Sequence, residues 1–194
     1  MRTGRKRKTN VLRDASGKSR GEREIVHPET VAVRERELLN AGLSLKGPEA
    51  LNQLAGFTLG VLLLRGRANK DDPGGISQDQ YDAGDAWQKL CHRHAAIMGY
   101  KLTVKSPSFS MVGGGQDTKP EPDEEEIKRV KDKWTACYNA IMKVCREEGL
   151  RGREAMRARD VTFGACVENW PVGHFRSSDF GLLRLTLNAI GKVV

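Results

Sequence analysis

Residues 123–149 constrain this chain more than any other stretch. Apolar side chains recur at Ile127, Val130, Trp134, Cys137, Tyr138, Ile141, Val144 and Cys145, with charged residues filling most of the gaps. Ile127, Trp134 and Ile141 share one heptad position, and Val130, Cys137 and Val144 a second. One helical face therefore stays apolar over about seven turns at 3.6 residues each. The opening Asp123-Glu124-Glu125-Glu126 puts negative charge at the positive end of the helix dipole, and Gly149 supplies a stop. Burying each of these apolar side chains is worth about 1.5–3 kcal/mol, which an isolated helix forfeits. Such a helix demands partners.

The partners are sought along the rest of the chain. The spacing predicts a helix from Pro28 to Ala41, with proline in the first turn, Gly42 past the end and a thin stripe of Val31, Leu38 and Leu39. A second is predicted from Pro48 to Leu64, apolar on nearly every side and so central to the core. Asp71-Asp72-Pro73-Gly74-Gly75 breaks the chain, and Ser77 with Gln80 then forms a capping box for a helix that runs to Met98 and closes at Gly99. From Tyr100 to Pro122 periodicity is lost in Gly113-Gly114-Gly115 and Pro120-Glu121-Pro122, which is linker composition. Residues 151–168 read as helical, and Ser178 reads as the cap of a last helix carrying Leu182, Leu183, Leu185, Leu187 and Ile190 up to Gly191. No set of alternating strands is offered. The expected architecture is all-α: a bundle of five to six helices in a single domain (28–194), with a disordered basic N-terminal arm (1–27) and a flexible Gly/Pro-rich internal linker (100–122).

Charge is distributed unevenly. The chain carries +8, yet residues 1–23 alone hold nine Lys or Arg against two acidic residues, a net of +7. The body is nearly neutral. Arg2, Arg5, Lys6, Arg7, Lys8, Arg13, Lys18 and Arg20 sit among almost no apolar surface, so this segment reads either as a solubilising end or as an arm that neutralises phosphates. No aromatic residue interrupts it, which favours the duplex DNA backbone over stacked bases. A second basic cluster, Arg151, Arg153, Arg157 and Arg159, follows the short Gly149–Gly152 joint as the recognition helix of a helix-turn-helix would. The same arginines also read as a solvated face balanced by Glu147, Glu148, Glu154 and Asp160, and both readings stand.

Other chemistries find little footing. Cys91, Cys137, Cys145 and Cys166 lie within helical runs, and no secretory leader precedes them, so reduced thiols and a cytoplasmic setting in a bacterial cell are expected. Cys91 and His94 have a C-x-x-H spacing, but Cys137 and Cys145 are too far apart to form the close second pair typical of zinc, so no metal or other cofactor is expected. Gly113-Gly114-Gly115-Gln116 lacks the Lys-Ser/Thr ending of a phosphate loop, and no hydrolase or kinase motif is present. No catalytic set can be nominated and the chain reads as a non-enzyme. No apolar run is long enough for a membrane span.

The stretch Ile76-Ser77-Gln78-Asp79-Gln80-Tyr81-Asp82-Ala83-Gly84-Asp85-Ala86-Trp87 resembles a group of small basic helical proteins encoded by phages and prophages of alphaproteobacteria. The likeness extends to a Lys/Arg-rich arm with an Ala15-Ser16-Gly17 turn, a Leu/Gly-rich helix before the stretch, and a final helix matched by Leu183-Arg184 and Leu187, although Thr186 stands where glycine is usual. It implies a mobile-element setting. The expected function is a phage-type nucleic-acid-binding accessory or regulatory protein whose arm contacts phosphates while the helical body chooses a site or a phage or host protein partner. The alternative is an oligomeric structural or DNA-packaging component, terminase-like or virion-borne, assembling through the Trp134, Tyr138 and Ile141 face of the 123–149 helix.

Overall fold

The computed structural model describes residues 28–46, 50, 52–102 and 123–194. The arm (1–27) and nearly all of the expected linker lie outside them. Among the described residues six α-helices follow in order: α1 (Pro28–Asn40), α2 (Thr58–Ala68), α3 (Gln78–Met98), α4 (Glu124–Glu147), α5 (Arg153–Cys166) and α6 (Ser177–Ile190), with short 3₁₀ turns at Gln53–Gly56 and Val172–His174. No strand occurs among the described residues, and none of their helices is long and apolar enough to cross a membrane. The fold is an all-α bundle.

Local signals set the long helices. Asp123 caps α4 by accepting the Glu126 N–H at 2.6 Å. At the other end Gly149 turns left-handed (φ +72°), and the Leu150 N–H reaches back to the Cys145 carbonyl at 2.8 Å. The capping box of α3 is made as the sequence implies: Ser77 Oγ accepts the Gln80 N–H, and Gln80 Oε1 accepts the Ser77 N–H. Gln80 also donates through Nε2 to Asn188 on α6, at 2.9 Å.

The core is built around α6 rather than α2. α6 packs on α3, α4 and α5, and its Leu183, Leu187 and Ile190 are fully buried among Trp87, Ile141, Val161 and Cys166. Thr186, the departure from glycine, is buried as well. Its hydroxyl pairs with that of Thr162 on α5 and lies within hydrogen-bonding distance of the carbonyls of Leu182 and Leu183, so the helix crossing is polar yet satisfied. Gly84 on α3 lies where α2 and α6 approach: a Cβ there would stand 2.7 Å from Leu59 Cδ1 and 3.2 Å from Leu187 Cδ2. Together with buried Ile76 and Ala83, this makes the Ile76–Trp87 stretch a packing and capping signature.

Three sequence expectations need correction. The helix expected over 48–64 is displaced: a 3₁₀ turn covers Gln53–Gly56, Phe57 is extended, and α2 begins only at Thr58. No side chain caps α2 locally; Asn169 does so from beyond α5, its Oδ1 accepting the Thr58 N–H at 2.7 Å. In α1 only Leu38 of the expected stripe is buried, joining Leu43, Ala50, Ala55 and Val61 in a separate small core, while Leu39 is 63 % exposed. Successive helical residues point about 100° apart, so these two leucines cannot share one narrow contact. At the start of α6, Ser178 is not the cap. The helix begins at Ser177, and the Asp179 carboxylate takes the Arg176 N–H at 2.8 Å.

Candidate functional site

The arginines that the sequence nominates have different fates. Arg2, Arg5, Lys6, Arg7, Lys8, Arg13, Lys18 and Arg20 lie outside the described residues. Arg151 and Arg153 are exposed at the turn into α5 and make no ion pair among the described residues. Arg157 is half-buried and grips Asp179 with both arms of its guanidinium, Nε donating to Oδ1 at 3.0 Å and the terminal nitrogen to Oδ2. Arg159 donates to Asp160 Oδ1 from Nε and from the terminal nitrogen, at 3.0 and 2.7 Å. Both arginines are therefore held to their own fold. Elsewhere in the body Arg65 is paired with Asp72, Arg93 with Glu126, and Lys89 with Asp85.

The 123–149 helix turns much of its apolar face into its own bundle. Ile141 is 1 % exposed and Trp134 and Tyr138 are half-buried, because α3, α5 and α6 cover that face. What remains beside it is a cleft of about 380 Å³. Trp87 of α3, Trp134 and Tyr138 of α4, Phe163 of α5 and Trp170 from the segment after α5 line it, so all three tryptophans of the chain meet there. Arg159, Asp160 and Glu168 supply the polar part of its lining.

The rings are fixed by stacking and hydrogen bonds. Trp134 lies between His94 (centroids 4.7 Å apart, planes 14°) and Tyr138 (5.5 Å, 10°), with Trp87 at 6.0 Å and 27°. Trp170 lies flat over Gly164, where a Cβ would come within 2.3 Å of the indole, so only glycine permits that seat. The Trp170 backbone N–H binds the Gly164 carbonyl at 2.8 Å, and its Nε1–H donates to Glu168. Trp87 is the exception: it is 2 % exposed, and its Nε1–H has no acceptor among the described residues.

A wider cleft of about 490 Å³ separates α2 from α3, with Leu59, Ala165 and Cys166 in its lining. The charges that line it are already engaged, Lys89 with Asp85 and Arg93 with Glu126.

The thiols and His94 are held in place. Burial pushes the Cys91 thiol up to about 12 and raises Cys137, Cys145 and Cys166, so none presents a reactive thiolate near neutrality. His94 spends one face on Trp134 and its Nδ1 on the Tyr100 hydroxyl at 2.9 Å; burial, then the charge of Lys131, holds its pKa below the usual range. Among the described residues no group of three or more His, Cys, Asp or Glu is placed to hold a metal ion.

Sequence reasoning missed the cleft. It read Trp134 as an assembly seam, Trp87 as one side of a helix and Trp170 as a helix end, and the convergence of these rings is a tertiary fact without a local signature. No family model matches the chain, and neither a curated protein nor a solved structure is detectably similar to it.

Proposed function

We propose that this protein is a nucleic-acid-binding accessory or regulatory protein of the mobile-element kind, attached to duplex DNA through its N-terminal basic segment, with the helical bundle as a nearly neutral carrier. The observation that carries this reading is the segregation of charge. Residues 1–23 have a net charge of +7 out of +8, and the bundle's own arginines at 65, 93, 157 and 159 are engaged by carboxylates. A body so balanced exerts little field on a polyanion, whereas a run of Lys and Arg without apolar surface displaces counterions from phosphates wherever it lies along the duplex.

The test compares the full chain with a variant lacking residues 1–23, using fluorescence anisotropy on a mixed-sequence duplex over a salt series. If the arm neutralises about seven phosphates, log Kobs falls with log salt at a slope of about −6 for the full chain. The truncated chain should lose both the affinity and the slope. Equal binding by the two proteins would overturn the proposal.

A further inference from the structure

We propose that the cleft between the end of α2 and the start of α3, flanked by Arg184 of α6, is a binding site for a phosphate group, either the free ion or the phosphoryl end of a small molecule. The near-neutrality of the bundle is a sum, and its unpaired cations are not spread evenly. This inference does not rest on the basic arm, and the two are tested separately.

Gly66 and Gly75 meet backbone on backbone: a Cβ on Gly75 would stand 2.5 Å from the Gly66 Cα, so the last turn of α2 is seated against the entry to α3. Arg67 and Lys70 follow Gly66, and with Arg184 they line a cleft of about 470 Å³. No Asp or Glu is among its lining residues, which leaves the lining at +3. None of the three cations has an ion pair among the described residues. The charge of Arg184 is felt at Asp72, but both oxygens of that carboxylate are bound by Arg65, and one also by the Gly74 N–H.

The neutral side chains of the lining are largely spent. Gln78 accepts from Arg67 at 2.6 Å and donates to Asp82, while Gln80 accepts the Ser77 N–H and donates to Asn188. Ser77 Oγ accepts the Gln80 N–H, which leaves its hydroxyl hydrogen to give. The unspent groups are thus donors: Lys70, Arg184, the rest of the Arg67 guanidinium and the Ser77 hydroxyl. A compact ligand of acceptors with more than one negative charge answers that set. A phosphate monoester carries about −1.5 to −2 near pH 7 and three strong acceptor oxygens. A single carboxylate brings one charge and two oxygens, and a neutral sugar or base leaves three cations uncompensated.

A ligand that binds only the folded chain raises its melting temperature, so thermal unfolding reads sites that the fold builds. The full-length protein is melted over a concentration series of inorganic phosphate, ribose 5-phosphate and succinate, with ionic strength held constant by sodium chloride. The expected result is a saturable rise with the two phosphates and little change with succinate, a dianion of a different shape. Arg184→Gln removes a half-buried cation and should weaken phosphate binding about tenfold. Lys70→Gln removes an exposed one and should weaken it about threefold; it also carries the test alone if Arg184→Gln does not fold. Lys101→Gln deletes an exposed cation outside the cleft and should bind as the wild type does. Tighter binding of ribose 5-phosphate than of inorganic phosphate assigns the cleft to a phosphorylated small molecule; equal or weaker binding assigns it to the free ion. The inference is overturned if neither phosphate raises the melting temperature at low millimolar concentration, or if succinate does so equally well. It is likewise overturned if the folded cleft variants respond as the wild type does, or if Lys101→Gln loses as much as they do. None of these outcomes bears on the DNA salt series with and without residues 1–23, which decides the role of the arm.

Discussion

Between residues 151 and 159 four arginines divide into two pairs with opposite roles. Arg151 and Arg153 stand exposed where the chain enters α5, and no carboxylate pairs with them among the described residues. Arg157 and Arg159, one and two turns further on, are held: one by Asp179, which is 1 % exposed, the other by Asp160 on the wall of the aromatic cleft. Helical spacing does not separate these pairs. For Arg157 the difference is made by what another element brings up to the side chain, the first turn of α6, whereas Arg159 is held by its own neighbour Asp160. Burial by itself would raise the Asp179 carboxyl, but hydrogen bonds from Arg157 and from the Arg176 backbone, with the charges of both arginines, hold it below the ordinary carboxylate range. An arginine that reads as a nucleic-acid contact is thus, one turn along, part of the fold.

The sharpest way to break that contrast is Arg157→Ala. It leaves a buried carboxylate without its partner and should cost about 3 kcal/mol of stability, measured by urea unfolding. A loss below about 1 kcal/mol, the size of an exposed pair, would make Arg157 no different from its upstream neighbours. Arg157→Lys should recover only part of the loss, because an ammonium cannot span both carboxylate oxygens. Acidification tests the same pair. The folded pKa of Asp179 lies below the ordinary value of 3.8, so its stabilising contribution is fully present above that value and is lost as pH falls through the folded pKa. Asp72, lowered chiefly by its hydrogen bond from Arg65, acts in the same direction. The wild type should therefore lose melting temperature as the pH falls below 3.8 toward the folded pKa, and Arg157→Ala should lose less, since desolvation then governs Asp179 and protonation becomes favourable. Parallel melting curves for the two proteins would remove Asp179 from the account.

A smaller effect is expected at Asn169, which caps α2 from 111 residues away. Asn169→Ala removes the acceptor for the Thr58 N–H and should cost about 1 kcal/mol, the usual worth of a helix cap. Its melting temperature should fall by less than that of Arg157→Ala; an unchanged value would mean that water replaces the cap.

Asn169 also marks the boundary of what the chain reveals when read alone. The long α4 helix, the Ser77 capping box and the Gly99 and Gly149 stops are encoded within a few residues of where they act, and periodicity with capping rules places them correctly. The start of α2, the central position of α6, the Arg157–Asp179 pair and the convergence of Trp87, Trp134 and Trp170 each depend on groups far apart in sequence. Spacing within a window carries no term for them. The basic arm is legible for the opposite reason: its charge count needs no fold at all.

The upstream pair, Arg151 and Arg153, gives the smallest expected change and the closest comparison with the arm. Replacing both by alanine should leave stability within about 0.5 kcal/mol, because neither side chain is buried or paired within the described fold. If the turn into α5 touches phosphates while the arm holds the duplex, each arginine contributes about one unit to the salt slope, so the double variant should bind with a slope shallower by about 2 and with no change in sequence preference. A slope equal to that of the wild type would confine phosphate contact to residues 1–23 and leave the whole bundle, including both ends of α5, as carrier. A larger fall in affinity for one duplex sequence than for others would instead assign these two arginines to base edges, and α5 would then present its first turn to the major groove while its next two turns hold the fold together.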